Sequence, residues 1–222
     1  MTRAVLLLSL LLGGCGGDDE SIDDAPGAGG ACPEPGARFA TDVVDHSFGS
    51  GQDFGQAEFP EPVLGAPSGG GCCQGSLEVT SLGEGGFVTL AFGDNAIVDG
   101  PGPDFIVFEN AFLVTEGEPE SVFYELGSVS VSADGENFVG FECDGSEFPF
   151  EGCAGWHPSL ANPSDNEIDP LDPSVAGGDA FDLAELGLDE VRYVRIEDLP
   201  EEQGGEGTFD LDAVAIANAA CD

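Results

Sequence analysis

The chain has 222 residues and sets 44 acidic side chains against 4 basic ones, a formal net charge of −40. The basic residues are Arg3, Arg38, Arg192 and Arg195, with no lysine. Nucleic acid and anionic lipid headgroups, which bind through basic footprints, are therefore excluded as partners, and cations are favoured. A hydrophobic content of 41% with 16 Phe still suffices for one sizeable core, while Gly 35 and Pro 15 call for many turns.

Taken in order, residues 1–14 read as a lipoprotein signal peptide. Arg3 supplies the basic start, and the apolar run 4–12 falls far short of the roughly 20 residues a membrane-spanning helix needs. Its ending, Leu12-Gly13-Gly14-Cys15, resembles the bacterial lipobox, which implies lipidation of Cys15 as the first residue of the mature protein. That makes the expected membrane attachment an anchor rather than a span. Gly16, where the enterobacterial inner-membrane signal has aspartate, points to the outer membrane or cell surface. Residues 15–37 are acidic, rich in glycine and nearly free of large apolar groups, and so read as a tether.

Setting Cys15 aside leaves Cys32, Cys72, Cys73, Cys143, Cys153 and Cys221, an even number that in an oxidising compartment predicts three disulfides. Cys143 and Cys153 make the natural local pair, and Cys32 with Cys221 could staple the two ends of the folded region. Cys72 and Cys73 either join each other or each pair elsewhere. The absence of Cys-x-x-Cys gives no support to a zinc ribbon or thioredoxin-type site.

From residue 38 to 222 the pattern is that of an all-β domain. Period-two segments bounded by Gly, Asp or Pro predict strands at 87–92, 105–108, 128–132, 191–196 and 209–216, with Asp134-Gly135 turning a hairpin. Only 182–188 suggests a short helix, stopped by Gly187. Many short strands with few helices predict an antiparallel β-sandwich with long loops and disulfides.

Ser130-Val-Ser-Ala-Asp-Gly-Glu-Asn-Phe138, Val191-Arg-Tyr-Val-Arg-Ile196 and Phe209-Asp-Leu-Asp-Ala-Val214 resemble the hairpin and late strands of galactose-binding-like jelly rolls, the discoidin group. Ser81-Leu-Gly-Glu-Gly-Gly86, Asp99-Gly-Pro-Gly-Pro-Asp-Phe-Ile-Val-Phe-Glu-Asn110 and Ala176-Gly-Gly-Asp-Ala-Phe-Asp-Leu183 resemble phrases of a family of bacterial "cell surface proteins". These resemblances imply a jelly roll on the cell surface and no defined reaction.

Acids packed into glycine-rich turns are the candidate metal ligands. They fall into three sequence groups: Asp94, Asp99, Asp104 and Glu109; Asp179 and Asp182; Asp210 and Asp212. Calcium takes six to eight hard oxygens, many from loop carbonyls, and is the expected cofactor, although no EF-hand loop is present. Most of the 44 acids are simply solvated, and the lack of lysine equally suits a salt-adapted surface neutralised by bulk cations. Strict alternation would put Asp210 and Asp212 on one side with Val214 and Ile216, near the core, where a metal or Arg192 or Arg195 would offset their charge.

Trp156 and His157 are the candidate ligand-binding residues. Trp156 is the single tryptophan and is either an exposed platform for a sugar ring or an aromatic covering the core beneath a loop. No Gly-x-Ser-x-Gly or His-Glu-x-x-His motif accompanies the two histidines, His46 and His157, so no catalytic residues are expected. The reading is a non-catalytic cell-surface binding or structural module steadied by calcium. A lectin-like adhesin binding glycans or a surface protein, and an accessory domain of a secreted hydrolase, are the alternatives.

Overall fold

A computed structural model describes residues 37–116, 121–200, 203, 205 and 207–221. Cys15, Cys32, the signal peptide and nearly all of the expected tether lie outside the described residues. The strands in chain order are β1 (Asp42–Ser47), β2 (Thr80–Ser81), β3 (Phe87–Ala91), β4 (Ile97–Val98), β5 (Phe105–Glu109), β6 (Phe112–Leu113) and β7 (Val122–Phe123). There follow β8 (Gly127–Ser132), β9 (Val139–Gly140), β10 (Cys153–Ala154), β11 (Asp179–Phe181), β12 (Glu190–Val191), β13 (Tyr193–Asp198) and β14 (Asp210–Ile216). Glu61–Val63 and Leu183–Glu185 form short 3-10 turns.

The fold is all-β and antiparallel. One sheet runs β1-β3-β13-β8-β10, with β9 added to β8; the second runs β11-β5-β14-β2. Alternate residues of both sheets meet in one core: Val88, Leu90, Val129, Val131, Val194 and Ile196 from the first, and Phe105, Val107, Phe181, Leu211, Val214 and Ile216 from the second. Period-two side-chain alternation accounts for this sandwich-like pairing.

β5 has no solvent face. Ile106 and Phe108, on its other side, pack with Ala161, Ala176, Ala213 and Ala215, which roofs the second sheet with the irregular segment after His157. A strand buried on both faces reads as a continuous apolar run, as Phe-Ile-Val-Phe does here. β1 is the opposite case, an edge strand that is exposed along most of its length and carries Asp42, Asp45 and His46. Charge on an edge discourages pairing with another chain.

The expected strand over 191–196 is divided: β12 pairs with β4, and β13 runs on to Asp198 between β3 and β8. Arg195 on β13 lies between the rings of Phe87 and Phe138, 4.6 and 4.2 Å from their centroids, and reaches Thr89 Oγ1 and Asp45. In place of the expected helix, Leu183–Glu185 forms a 3-10 turn, and Gly187 follows at φ 66°, the left-handed conformation that ends it.

Cys143 is bonded to Cys153, and Cys72 is bonded to its neighbour Cys73 rather than to a distant cysteine. Cys221 is also disulfide-bonded, while its expected partner Cys32 lies outside the described residues. No helix among the described residues is long and apolar enough to cross a membrane.

Candidate functional site

The Cys143–Cys153 disulfide closes a loop carrying Glu147-Phe148-Pro149-Phe150-Glu151, and the chain leaving Cys153 enters β10 against β8. Gly155 follows at φ 97°, and a Cβ there would collide with the Glu125 carbonyl, so the turn that presents the next two residues requires glycine. Those residues are Trp156 and His157.

Asp179 on β11 holds the turn from beneath. Its Oδ2 accepts the amide N–H groups of Gly155 (2.6 Å) and Trp156 (3.1 Å), and its Oδ1 lies 2.7 Å from His157 Nδ1. The carboxyl is only 4% exposed, and burial raises its pKa above the ordinary range, opposed by His157 and the two amides. With Asp179 ionised, Nδ1 carries the ring proton, and Nε2 is left as the polar atom of a half-exposed imidazole.

His157 and Trp156 form the ridge between two grooves. One, about 650 Å³, is walled by Val122, Tyr124, Phe148, Phe150, Trp156 and Pro158. Its aromatic rings meet edge to face: Phe148 stands 5.7 Å from Trp156 at 85° and 5.8 Å from Phe150 at 88°. Phe148 is 76% exposed, an unusual position for so apolar a side chain. The other groove, about 620 Å³, has Phe141 and Phe181 in its floor and Glu142, Glu151 and Glu185 among its walls. Trp156 is half-buried, its ring 3.6 Å from the imidazole of His157, so it is both a cover for the core and a groove wall. Tyr124, Phe148 and Phe150 went unrecognised in the sequence; for the two phenylalanines the signal was an apolar triplet flanked by acids inside a disulfide loop, whereas Tyr124 carries no such mark.

The predicted metal ligands do not assemble in their sequence groups. Asp99, Asp104 and Asp182 come together, with oxygens all within 4.8 Å of one another, the one such cluster among the described residues. Asp104 is buried and accepts three N–H groups: Oδ1 from Gly100 N and Asn218 Nδ2 (both 2.8 Å) and Oδ2 from Leu183 N (2.7 Å). Asp182 Oδ1 accepts from Ala184 N and caps the 3-10 turn. Asp179 belongs to the histidine instead, and Asp94 is exposed, its carbonyl facing Arg192 at 3.4 Å.

The parity expected for Asp210 and Asp212 is broken by a bulge between Leu211 and Ala213, so Leu211 joins the core. Asp212 is held by Ser68 N at 3.0 and 2.9 Å, and burial, with Glu78 nearby, pushes its pKa up to about 8. Asp210 bonds Ser81 Oγ and Asn110 Nδ2. Neither acid takes the arginine expected for it: Arg192 pairs with Glu190 at 2.7 Å and Arg195 with Asp45 at 3.2 Å. Glu109 lies apart from Asp99 and Asp104, buried beneath Ser159 and the start of β14.

No protein-family model matches the chain, and no curated protein matches it.

Proposed function

We propose that the protein is a non-catalytic cell-surface binding module whose ligand is a neutral carbohydrate, held in the aromatic groove beside Trp156 and His157. The observation that carries this reading is the wall of Tyr124, Phe148 and Trp156 next to an imidazole fixed by Asp179. Sugar rings stack on aromatic faces, and their hydroxyls need oriented polar partners, which His157 Nε2 supplies at the edge of this groove. A surface of charge −40 repels acidic polysaccharides, so the class is narrowed to neutral glycans. The groove linings bring no serine, threonine or free thiol to His157, which favours binding over nucleophilic catalysis.

Immobilised neutral glycans should retain the full chain, and Trp156→Ala should weaken binding at least tenfold. Phe148→Ala, at a site too exposed to unfold the domain, should weaken it severalfold. Silence of the parent chain across neutral glycans would sink the carbohydrate reading.

We further propose anchoring to the cell envelope through lipidated Cys15, after removal of residues 1–14. Cys15→Ser should move the protein from the membrane to the soluble fraction with an unchanged melting curve, as read by fractionation and circular dichroism. Calcium is the proposed steadying cation, with Asp99, Asp104 and Asp182 as its protein ligands; they bring oxygens from the loop before β5 and from the end of β11 to one point.

A further inference from the structure

Glu109 ends β5 on the same side as Phe105 and Val107, which sends its carboxylate into the space between the two sheets. It is 0% exposed, and neither Oε1 nor Oε2 has a hydrogen-bond partner. The amides of Asn110 and Asp210 lie near enough to offset part of the burial, but the Asn110 N–H is donated to the Asp210 carbonyl at 3.1 Å. Thr80 and Glu109 both pair with Leu211, in one row across the sheet, and Thr80 Oγ1 is likewise buried without a partner.

The groups around Glu109 are acids from other elements. Glu125, from the segment between β7 and β8, and Asp210, at the start of β14, act on it directly. Asp198, the last residue of β13, lies beside Glu125 and Asp210, and its Oδ2 is a further buried oxygen without a partner. Exposed Asp53 and Glu84 stand at the margin. Burial first, and repulsion from neighbouring acids after it (Asp53 in the case of Asp210), raises the pKa values of Glu109, Glu125, Asp198 and Asp210.

No described cationic side chain is directed here. Arg38 donates to the carbonyls of Ile216 and Ala217, Arg192 binds Glu190, and Arg195 binds Asp45 and Thr89. His157 is held by Asp179, and His46 packs against Phe48 and Phe59. Carboxylates from four elements gathered around fully buried Glu109 and Asp198, with Glu125 and Asp210 half-buried beside them, are disfavoured unless something positive joins them.

We propose that Glu109, Glu125, Asp198 and Asp210 form an internal site for a hard divalent cation, calcium, distinct from the Asp99, Asp104 and Asp182 cluster. Oxygens are the donors calcium selects, and its coordination sphere tolerates irregular spacing. These four acids do not close to within 4.8 Å as the other cluster does, so the bound ion keeps water in part of its shell. Ser81 Oγ and Asn110 Nδ2 fix Asp210 at the edge of the site. The ion would bridge the ends of β5, β13 and β14 and so tie the two sheets together.

The test titrates calcium chloride calorimetrically into the full chain carrying Asp182→Asn, which silences the other cluster while keeping an oxygen for its 3-10 turn. One calcium should bind and raise the melting temperature. Adding Glu109→Gln should weaken that binding at least tenfold and abolish the calcium-dependent thermal shift. In EDTA the same Gln should melt higher than its parent, because it removes a buried acid, and this shows that lost binding is not lost folding. Absence of binding by the Asp182→Asn chain at millimolar calcium, or equal affinity with and without Glu109→Gln, would overturn the proposal.

Discussion

Asp104→Ala is expected to destabilise the domain by about 3 kcal/mol, a fall of roughly 6–12 °C in melting temperature for a chain of this size. The side chain is 0% exposed and accepts three N–H groups, from Gly100, Asn218 and Leu183. Alanine leaves the Leu183 amide, which is buried, without an acceptor; each such orphan costs about 1–3 kcal/mol. The other two donors are partly buried and recover some hydration. The loss is more than local, because Asp104 links the loop before β5, the 3-10 turn after β11 and the chain leaving β14. Its own carbonyl also accepts the Ala217 and Asn218 amides, bonds the substitution leaves intact, so the strand order should survive. Asp104→Asn, which keeps one acceptor and the shape, should cost about half as much. Melting followed by circular dichroism in EDTA separates this hydrogen-bonding role from any metal; a loss under about 1 kcal/mol would mean that water already serves those amides.

The sandwich was legible because its strands obey period two and end at glycine, aspartate or proline. The runs at 87–92, 105–108 and 209–216 recur as β3, β5 and β14 with ends shifted by one residue. The break inside 191–196 was not legible, since Val191 and Val194 are both apolar and only the pairing of β12 with β4 separates them. Asp210 and Asp212 show the limit of periodicity. Alternation placed them together beside the core, but a bulge shifts the phase by one residue, and nothing in Asp-Leu-Asp-Ala-Val marks it.

The candidate site was half legible. Trp156 and His157 stood out as the single tryptophan and one of two histidines, and both line the grooves. Their neighbours come from distant stretches. Asp179 had been grouped with Asp182 by proximity in sequence, yet the two side chains serve different sites, because adjacent positions along β11 and its exit point in different directions. Likewise Glu125 and Asp198 meet Glu109 and Asp210 only through the ordering of the sheets. In a chain with 44 acids, no spacing distinguishes those four from the solvated majority.

Without metal, stability should fall as pH rises from 5 to 8. Asp212 is pushed up to about 8, and Glu125 and Asp198 to about 7, in each case chiefly by burial, from ordinary values of 4.5 for Glu125 and 3.8 for the aspartates. A raised carboxyl pKa means that the fold disfavours the charged form. The unfolded chain ionises near pH 4, so the contribution is complete below that pH and drains away as pH climbs through about 7–8. The exposed acids with lowered values, Asp134, Asp144 and Asp172, act in the opposite sense but only below about pH 4. From pH 5 to 8 a fully buried acid like Asp212 has an upper limit of about 4 kcal/mol, and water entry on ionisation reduces it to about 2. The net fall in melting temperature is therefore expected to be about 5–10 °C. General repulsion within a polyanion has the same sign, but 1 M KCl shortens the Debye length to roughly 3 Å and removes most of the surface part. The buried part should persist in that salt. Asp212→Asn should then melt several degrees above the parent at pH 8 and match it at pH 5, since an amide has no charge to gain. A parent curve flat between pH 5 and 8 in EDTA and molar KCl would show that these carboxylates are neutralised from within the chain, against both the burial argument and the need for a cation.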